Sequence, residues 1–315
     1  MALAPLLISL YVSVSYVAAI HLWSKKVTDY KIRRDDPKVI KTRMRRVVLA
    51  TVVNLALVPF LNSQFSTRGT SFKEGVLELG LIPGVYSGTN VVFDFHSFLV
   101  DSGCAFKLAC ILYCGPLLDN VLYYVLVPGV SLREAVQDIK NELCDIWGVR
   151  NYVFGPITEE LFYTSMLVNS FLLTSRDDVT YSTVLLLPPL FFGLAHLHHG
   201  WEMYTLGIYS VTQVVSTALL QMTYTTLFGI FTNFVYIRTG RNFWCCCLLH
   251  SFANYMGLPK MSELRDQLEA HHPSPTSALF CKLWKWSYVA LLFIGIIGFK
   301  NNLWGLTDSK HAIEL

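Results

Sequence analysis

Two adjacent glutamates, Glu159 and Glu160, stand near the head of an apolar run that continues to about Leu173. A second polar island, His196, closes the run Phe191-Phe192-Gly193-Leu194-Ala195. A third places His250 and Asn254 four residues apart, so both emerge on one helical face. An ionisable group at the centre of a lipid-exposed helix costs roughly 2.5–3.5 kcal/mol on the mildest scale, so such groups face protein or a wet cavity. A carboxylate, two imidazoles and an amide in a partly dry site permit hydrolysis. Glu159 can take a proton from water as general base, His196 can hold that water, and His250 and Asn254 can donate to an oxyanion. No serine or cysteine nucleophile is needed. Two other readings use the same residues: Glu and His from several helices as a metal site, or buried polar groups that hold helices together or move protons in a transporter or scaffold.

The spacing also sets expectations for the glutamates. Gly155-Pro156 reads as a helix start, with Pro156 in the first turn, which would put the pair near the positive end of the helix dipole. Neighbours on an α-helix point about 100° apart, so Glu159 and Glu160 are expected to face different targets, one doing chemistry and the other supporting it.

The elements that position these groups follow from composition. The chain is 53% hydrophobic and 15% charged, whereas a soluble domain carries about 25% charged residues. Apolar runs recur at 3–23, 47–61, 104–128, 156–173, 182–197, 205–236, 243–257 and 286–304. The expected class is all-α: a polytopic membrane protein of about eight transmembrane helices around a cytosol-facing cavity, with residues 1–315 as one domain. The 205–236 run is long for one span and is read as a single tilted or broken helix. A short interfacial helix is expected at 71–82, a surface helix at 131–148 and a loop over 259–285.

Ten of the 25 Lys and Arg residues fall between 24 and 46. The positive-inside rule places that loop in the cytosol and makes 3–23 a signal anchor. Carrying the topology forward puts Glu159, His196, His250 and Asn254 in the cytosolic half of the bilayer, although Arg238 and Arg241 then land on the opposite side. The eight cysteines form no CxxC and sit mostly in apolar stretches, so neither disulfides nor thiol chemistry is implied. No basic patch with interleaved aromatics is present, which argues against nucleic acid as a partner.

Taken together, Glu159-Glu160, Phe192 with His196, and His250 with Asn254 resemble the three signature motifs of the CAAX protease and bacteriocin-processing family. The likeness is closer to its eukaryotic branch, the type II CAAX prenyl endopeptidases, also called Ras and a-factor converting enzymes. It extends through Arg34-Asp35-Asp36-Pro37-Lys38, Arg150-Asn151-Tyr152, Ala195-His196-Leu197-His198-His199 and His250-Ser251-Phe252 to Gly257. The resemblance implies an eight-span protease of the endoplasmic reticulum that removes the last three residues of prenylated CAAX proteins, such as Ras-type small GTPases and lipidated pheromone precursors. It implies a glutamate-type hydrolase with no essential metal and no cofactor. By position, Glu159 matches the water-activating glutamate, His196 its partner, His250 and Asn254 the oxyanion pair, and Glu160 the second, supporting glutamate. One departure stands out: where many members carry Arg four residues after the second glutamate, this chain has Thr164.

Overall fold

The computed structural model describes residues 3–21, 35–87, 90–127, 131–175, 179–259, 262, 264, 266, 268 and 275–315. Helix α1 (Leu3–His21) is followed by α2 (Pro37–Phe65). The side chain of Asp36 caps α2 by accepting from the Lys38 N–H at 2.8 Å, and Pro37 occupies its first turn. The cations from 38 to 46 therefore belong to the helix and not to a loop. α2 starts well before the expected 47 because the Asp-Pro start signal precedes the charges, and long basic side chains extend a helix into the polar interface. Lys25, Lys26, Lys31, Arg33 and Arg34 lie outside the described residues.

A short capped helix, α3 (Phe72–Leu77), stands within the expected 71–82. The antiparallel hairpin of β1 (Val85–Ser87) and β2 (Val91–Phe93) that follows was not foreseen; strands of three residues leave little pattern to read. The expected span at 104–128 is divided. Helix α4 (Phe95–Leu112) starts earlier, and α5 (Cys114–Leu126) begins beyond a break at Tyr113, where Pro116 falls in the new helix's first turn. α6 (Leu132–Cys144) is the amphipathic surface helix expected over 131–148.

Helix α7 (146–174) is an unbroken helical stretch in which the turns Val149–Phe154 and Glu160–Met166 are π-helical and flank the α-helical turn Gly155–Glu159. Every residue from Glu160 to Thr174 is buried, so α7 runs through the middle of the molecule. Against it pack α1, α2, α8 (Tyr181–Ala195), α10 (Val211–Arg238) and α11 (Phe243–Met256); α9 (Leu197–Leu206) lies against α10, and α12 (Pro275–Asn302) against α4 and α5. The 205–236 run resolves into the end of α9, a turn at Gly207 with φ +70°, and one helix, α10. Within the expected loop 259–285, Pro259 is in coil, Pro273 lies outside the described residues and Pro275 opens α12, so the last part is helix.

Among the described residues, six helical segments are long and apolar enough to cross a membrane: Leu3–His21, Pro37–Phe65, Phe95–Leu112, Tyr181–Leu206, Val211–Arg238 and Ala278–Asn302. They carry exposed apolar side chains such as Leu7, Leu49, Leu219 and Ile297, a surface suited to lipid. α11, with 14 residues, falls short of that length. Close packing sets the position of α8. Gly193 lies against Thr226 and within van der Waals reach of the Met222 carbonyl on α10, where any larger side chain would separate the helices.

At the other end of α7, buried polar groups pair with one another. Asn169 donates to the Glu78 carbonyl at 2.7 Å and bonds the Tyr236 hydroxyl at 2.9 Å. Arg241 donates to Asn169 at 3.0 Å and faces Glu78 at 3.4 Å. Arg238 pairs with Asp308 at 2.7 Å and lies over the Trp304 ring. The two arginines that fitted poorly with a simple charge rule are thus structural ties. All eight cysteines are free.

Candidate active site

The local chemistry of α7 begins at Pro156, which stands well inside the helix and not in its first turn. The Gly155 N–H bonds the Arg150 carbonyl, a π-type spacing. Continuing that spacing, the Asn151 carbonyl would be served by residue 156, but proline has no N–H. The carbonyl is instead taken by the Asn254 side-chain amide, which donates to it at 2.8 Å. One missing backbone proton in α7 thereby fixes a side chain on α11. The expected placement of the glutamates at a helix N-terminus is corrected by the same observation, because α7 has already made several turns before Glu159.

The expectation that Glu159 and Glu160 face different targets is also corrected. His250 lies between them: its Nδ1 is 2.7 Å from Glu160 Oε1 and its Nε2 is 3.7 Å from Glu159 Oε2. Two neighbouring side chains reach one residue because an imidazole offers a nitrogen on each side, and because the helix changes its turn at Glu160. The two carboxylates differ in access. The Glu159 side chain is 23% exposed, whereas that of Glu160 is 1% exposed, so water reaches the first and not the second. Thr164 donates to Glu160 Oε2 at 2.7 Å and meets Thr232 at 3.3 Å. Both Glu160 oxygens are therefore bonded, one by His250 and one by Thr164.

His196 forms the C-terminal cap of α8. Its Nδ1 is 2.9 Å from the Phe192 carbonyl. A carbonyl only accepts, so the proton sits on Nδ1 and Nε2 presents a lone pair. Phe192 packs edge-on against His196 at 4.8 Å between centroids, and Phe228 against His250 at 5.0 Å. These rings make an aromatic collar that limits how the two imidazoles turn.

Two cavities meet at these residues. One, of about 190 Å³, lies among α1, α2, α7 and α8 and is lined by Tyr16, Arg43 and Arg150. The other, of about 670 Å³, is lined by Tyr113, Tyr224, Phe228 and His250. Asn151, Glu159, His196 and Asn254 belong to the walls of both. Four of the five residues singled out in the sequence thus border open space, and Glu160 stands behind His250. Tyr16 and Tyr163, which share the smaller cavity with Glu159, were missed; a tyrosine in an apolar helix carries no distinguishing pattern.

Among the described residues, the three-donor group close enough to share an ion is His198, His199 and Glu202, with ligand atoms within 4.8 Å of one another. Glu202 is already paired with Arg43 at 2.9 Å, and a guanidinium at that distance opposes a second cation. Glu159, His196 and His250 do not form such a group.

CAAX prenyl protease 2 of Saccharomyces cerevisiae is 40% identical over 301 residues, covering 94% of this chain and 94% of the relative. The Homo sapiens CAAX prenyl protease 2 is 29% identical over 247 residues, covering 78% of this chain and 68% of the relative. The Arabidopsis thaliana protein of the same name is 38% identical over 114 residues, 36% of this chain and 35% of its own. Residues 144–256, which run from the end of α6 to the end of α11, match the family described as type II CAAX prenyl endopeptidase Rce1-like. No solved structure matches the chain. The span holding Glu159, Glu160, His196, His250 and Asn254 is thus the span the family shares, and the chain belongs to the type II CAAX prenyl endopeptidases.

Proposed function

We propose that this CAAX endopeptidase removes the C-terminal tripeptide of prenylated CAAX proteins with a water activated by Glu159. The observation that carries the reading is the unequal access of the paired carboxylates around His250: Glu159 borders both cavities, and Glu160 is sealed behind the ring. A water between Glu159 and His196 gives its proton to the carboxylate, while the lone pair on His196 Nε2 orients it. The oxygen attacks the carbonyl of the prenylated cysteine. Asn254 has a second amide proton beyond the one given to Asn151, and it donates that proton to the forming oxyanion. His250 gives Nδ1–H to Glu160, so Nε2 donates only from the imidazolium form, for which the flanking carboxylates are counter-charges. Glu159 then passes the proton to the leaving amine. Glu160, held by Thr164, fixes the ring and does not touch substrate.

The surroundings support a membrane-delivered substrate. Apolar anchoring contributes about 0.8 kcal/mol per buried CH₂, which concentrates a prenylated protein where the cavities lie. Arg43, one of the basic residues at the start of α2, lines the smaller cavity. The positive-inside rule assigns that end to the cytosol, and we place the site toward the cytosolic face of the endoplasmic reticulum membrane. Ras-type small GTPases and lipidated pheromone precursors have the chemistry this site would accept.

The test is cleavage of a synthetic farnesylated CAAX peptide by purified protein, beside its unprenylated counterpart and with and without chelator. Release of the tripeptide from the prenylated peptide alone, unaffected by chelator, is the expected result. Activity lost in chelator and restored by zinc would move the site to metal chemistry. Absence of cleavage would contradict the reading.

A further inference from the structure

The two cavities differ in charge, and the substrate differs in charge on the two sides of its scissile bond. On one side is the prenylcysteine, which is apolar. On the other is a tripeptide ending in a free carboxylate. The larger cavity is lined by Tyr113, Tyr224 and Phe228 and, among the described residues, by no arginine or lysine. The smaller one is lined by Arg43 and Arg150. From these observations, and resting on the endopeptidase reading, we infer that Arg150 binds the terminal carboxylate of the tripeptide in the smaller cavity while the prenyl group occupies the larger.

Arg150 is the better of the two cations for this task. Arg43 is bound to Glu202, whose side chain is 9% exposed and is also met by His199, so its charge is committed inward. Arg150 pairs at 2.8 Å with Asp35, whose side chain is 65% exposed. An ion pair to so solvated a partner is weak and is readily shared or exchanged. The Arg150 guanidinium spends Nε on Asn151 and Nη1 on Asp35, and among the described residues Nη2 makes no bond. A planar guanidinium with donors to spare is well suited to a carboxylate.

The helix also supplies a length. Arg150 and Glu159 lie on the same helical stretch, nine residues apart by number. At 1.5 Å per residue that is at most about 13 Å along the axis. An extended tripeptide spans about 10 Å. An arginine side chain covers the remainder. On this view α7 measures three residues from the activated water to the cation, which would select against longer tails.

The experiment compares kcat/KM for farnesylated peptides that differ only at the C-terminus: the free acid, the carboxamide, and the acid lengthened by one residue. Wild-type protein is expected to favour the acid by about 10–100-fold over both, as a charge-assisted hydrogen bond is lost. In Arg150→Gln the acid-to-amide preference is expected to fall to about one, chiefly through KM, with partial recovery in Arg150→Lys. Asp35→Asn removes the competing carboxylate from an exposed position and should raise the preference, a readout that a purely structural role for Arg150 would not move. Equal cleavage of acid and amide by wild type overturns the carboxylate site and leaves the endopeptidase reading standing. So does a preference unchanged in Arg150→Gln. If wild type cuts none of the peptides, the endopeptidase reading itself fails.

Discussion

The side-chain amide of Asn254 donates at 2.8 Å to the backbone carbonyl of Asn151, the carbonyl that Pro156 leaves without a donor. The bond holds Asn254 on the wall shared by the two cavities and leaves it one further amide N–H to give. Asn254→Ala is expected to reduce kcat by about 10²–10³, the usual loss for one oxyanion donor. Stability should fall little, because Asn254 is exposed and water can replace its bond to Asn151. Steady-state kinetics on a farnesylated peptide, together with a thermal melt, separates the two effects. Unchanged kcat would remove Asn254 from the oxyanion site.

A second prediction concerns Thr164, which takes the place of the arginine found in many family members. It donates to a carboxylate that is almost completely buried. Thr164→Val preserves shape and removes the donor, leaving Glu160 Oε2 short of a partner. Such a loss costs about 1–3 kcal/mol, more for a charged group. The variant is expected to melt lower in detergent, and Thr164→Ser to recover most of the loss. A Val variant as stable as wild type would mean that Thr164 does not support Glu160.

The chain's last residues offer a test of pH dependence away from the bilayer. Asp94 caps α4 through the Ser97 N–H at 3.0 Å and is met by Lys310 at 2.6 Å and His311 at 3.1 Å. The Lys310 ammonium first, then the Ser97 N–H and His311, hold its carboxyl well below the usual carboxylate range. For a depressed carboxylate the stabilisation is present above the unfolded value, about 3.9, and is lost as pH falls from there through the folded value. Limited proteolysis should therefore find residues 303–315 protected from neutral pH down to about pH 4 and released in stronger acid. Asp94→Asn should make them more readily cut at neutral pH, although Ser309 and Ile313 keep their own bonds to Asp101 and Ile237. Release of the wild-type tail above pH 5 would contradict the assignment.

How far the sequence foretold these relationships depended on what kind of signal each one leaves. That Glu159, His196 and His250 would meet beside open space was legible, because ionisable groups are costly in apolar helices and so face protein or a wet cavity. Helix α10 was legible from its length and apolar content. The joint approach of Glu159 and Glu160 to His250 was not, since it depends on a π-helical turn and on the two nitrogens of one ring, and neither alters the hydrophobic pattern. Pro156 signalled a helix start because proline is common there. Its actual role, orphaning the Asn151 carbonyl, needs knowledge of a partner about a hundred residues away in the chain. Arg150 appeared only as part of a motif; its place on a cavity wall follows from how α1, α2 and α7 pack.

The role of Glu159 as the base that activates water is tested most directly by the turnover of Glu159→Gln, measured with purified protein and a farnesylated CAAX peptide. Gln keeps the size and hydrogen-bonding shape of the side chain and loses the base. A fall in kcat of about 10²–10⁴, the range for a general acid–base group, with a melting temperature and substrate affinity near those of wild type, is the predicted result. Turnover within a few-fold of wild type would contradict the assignment of Glu159 as the group that activates water.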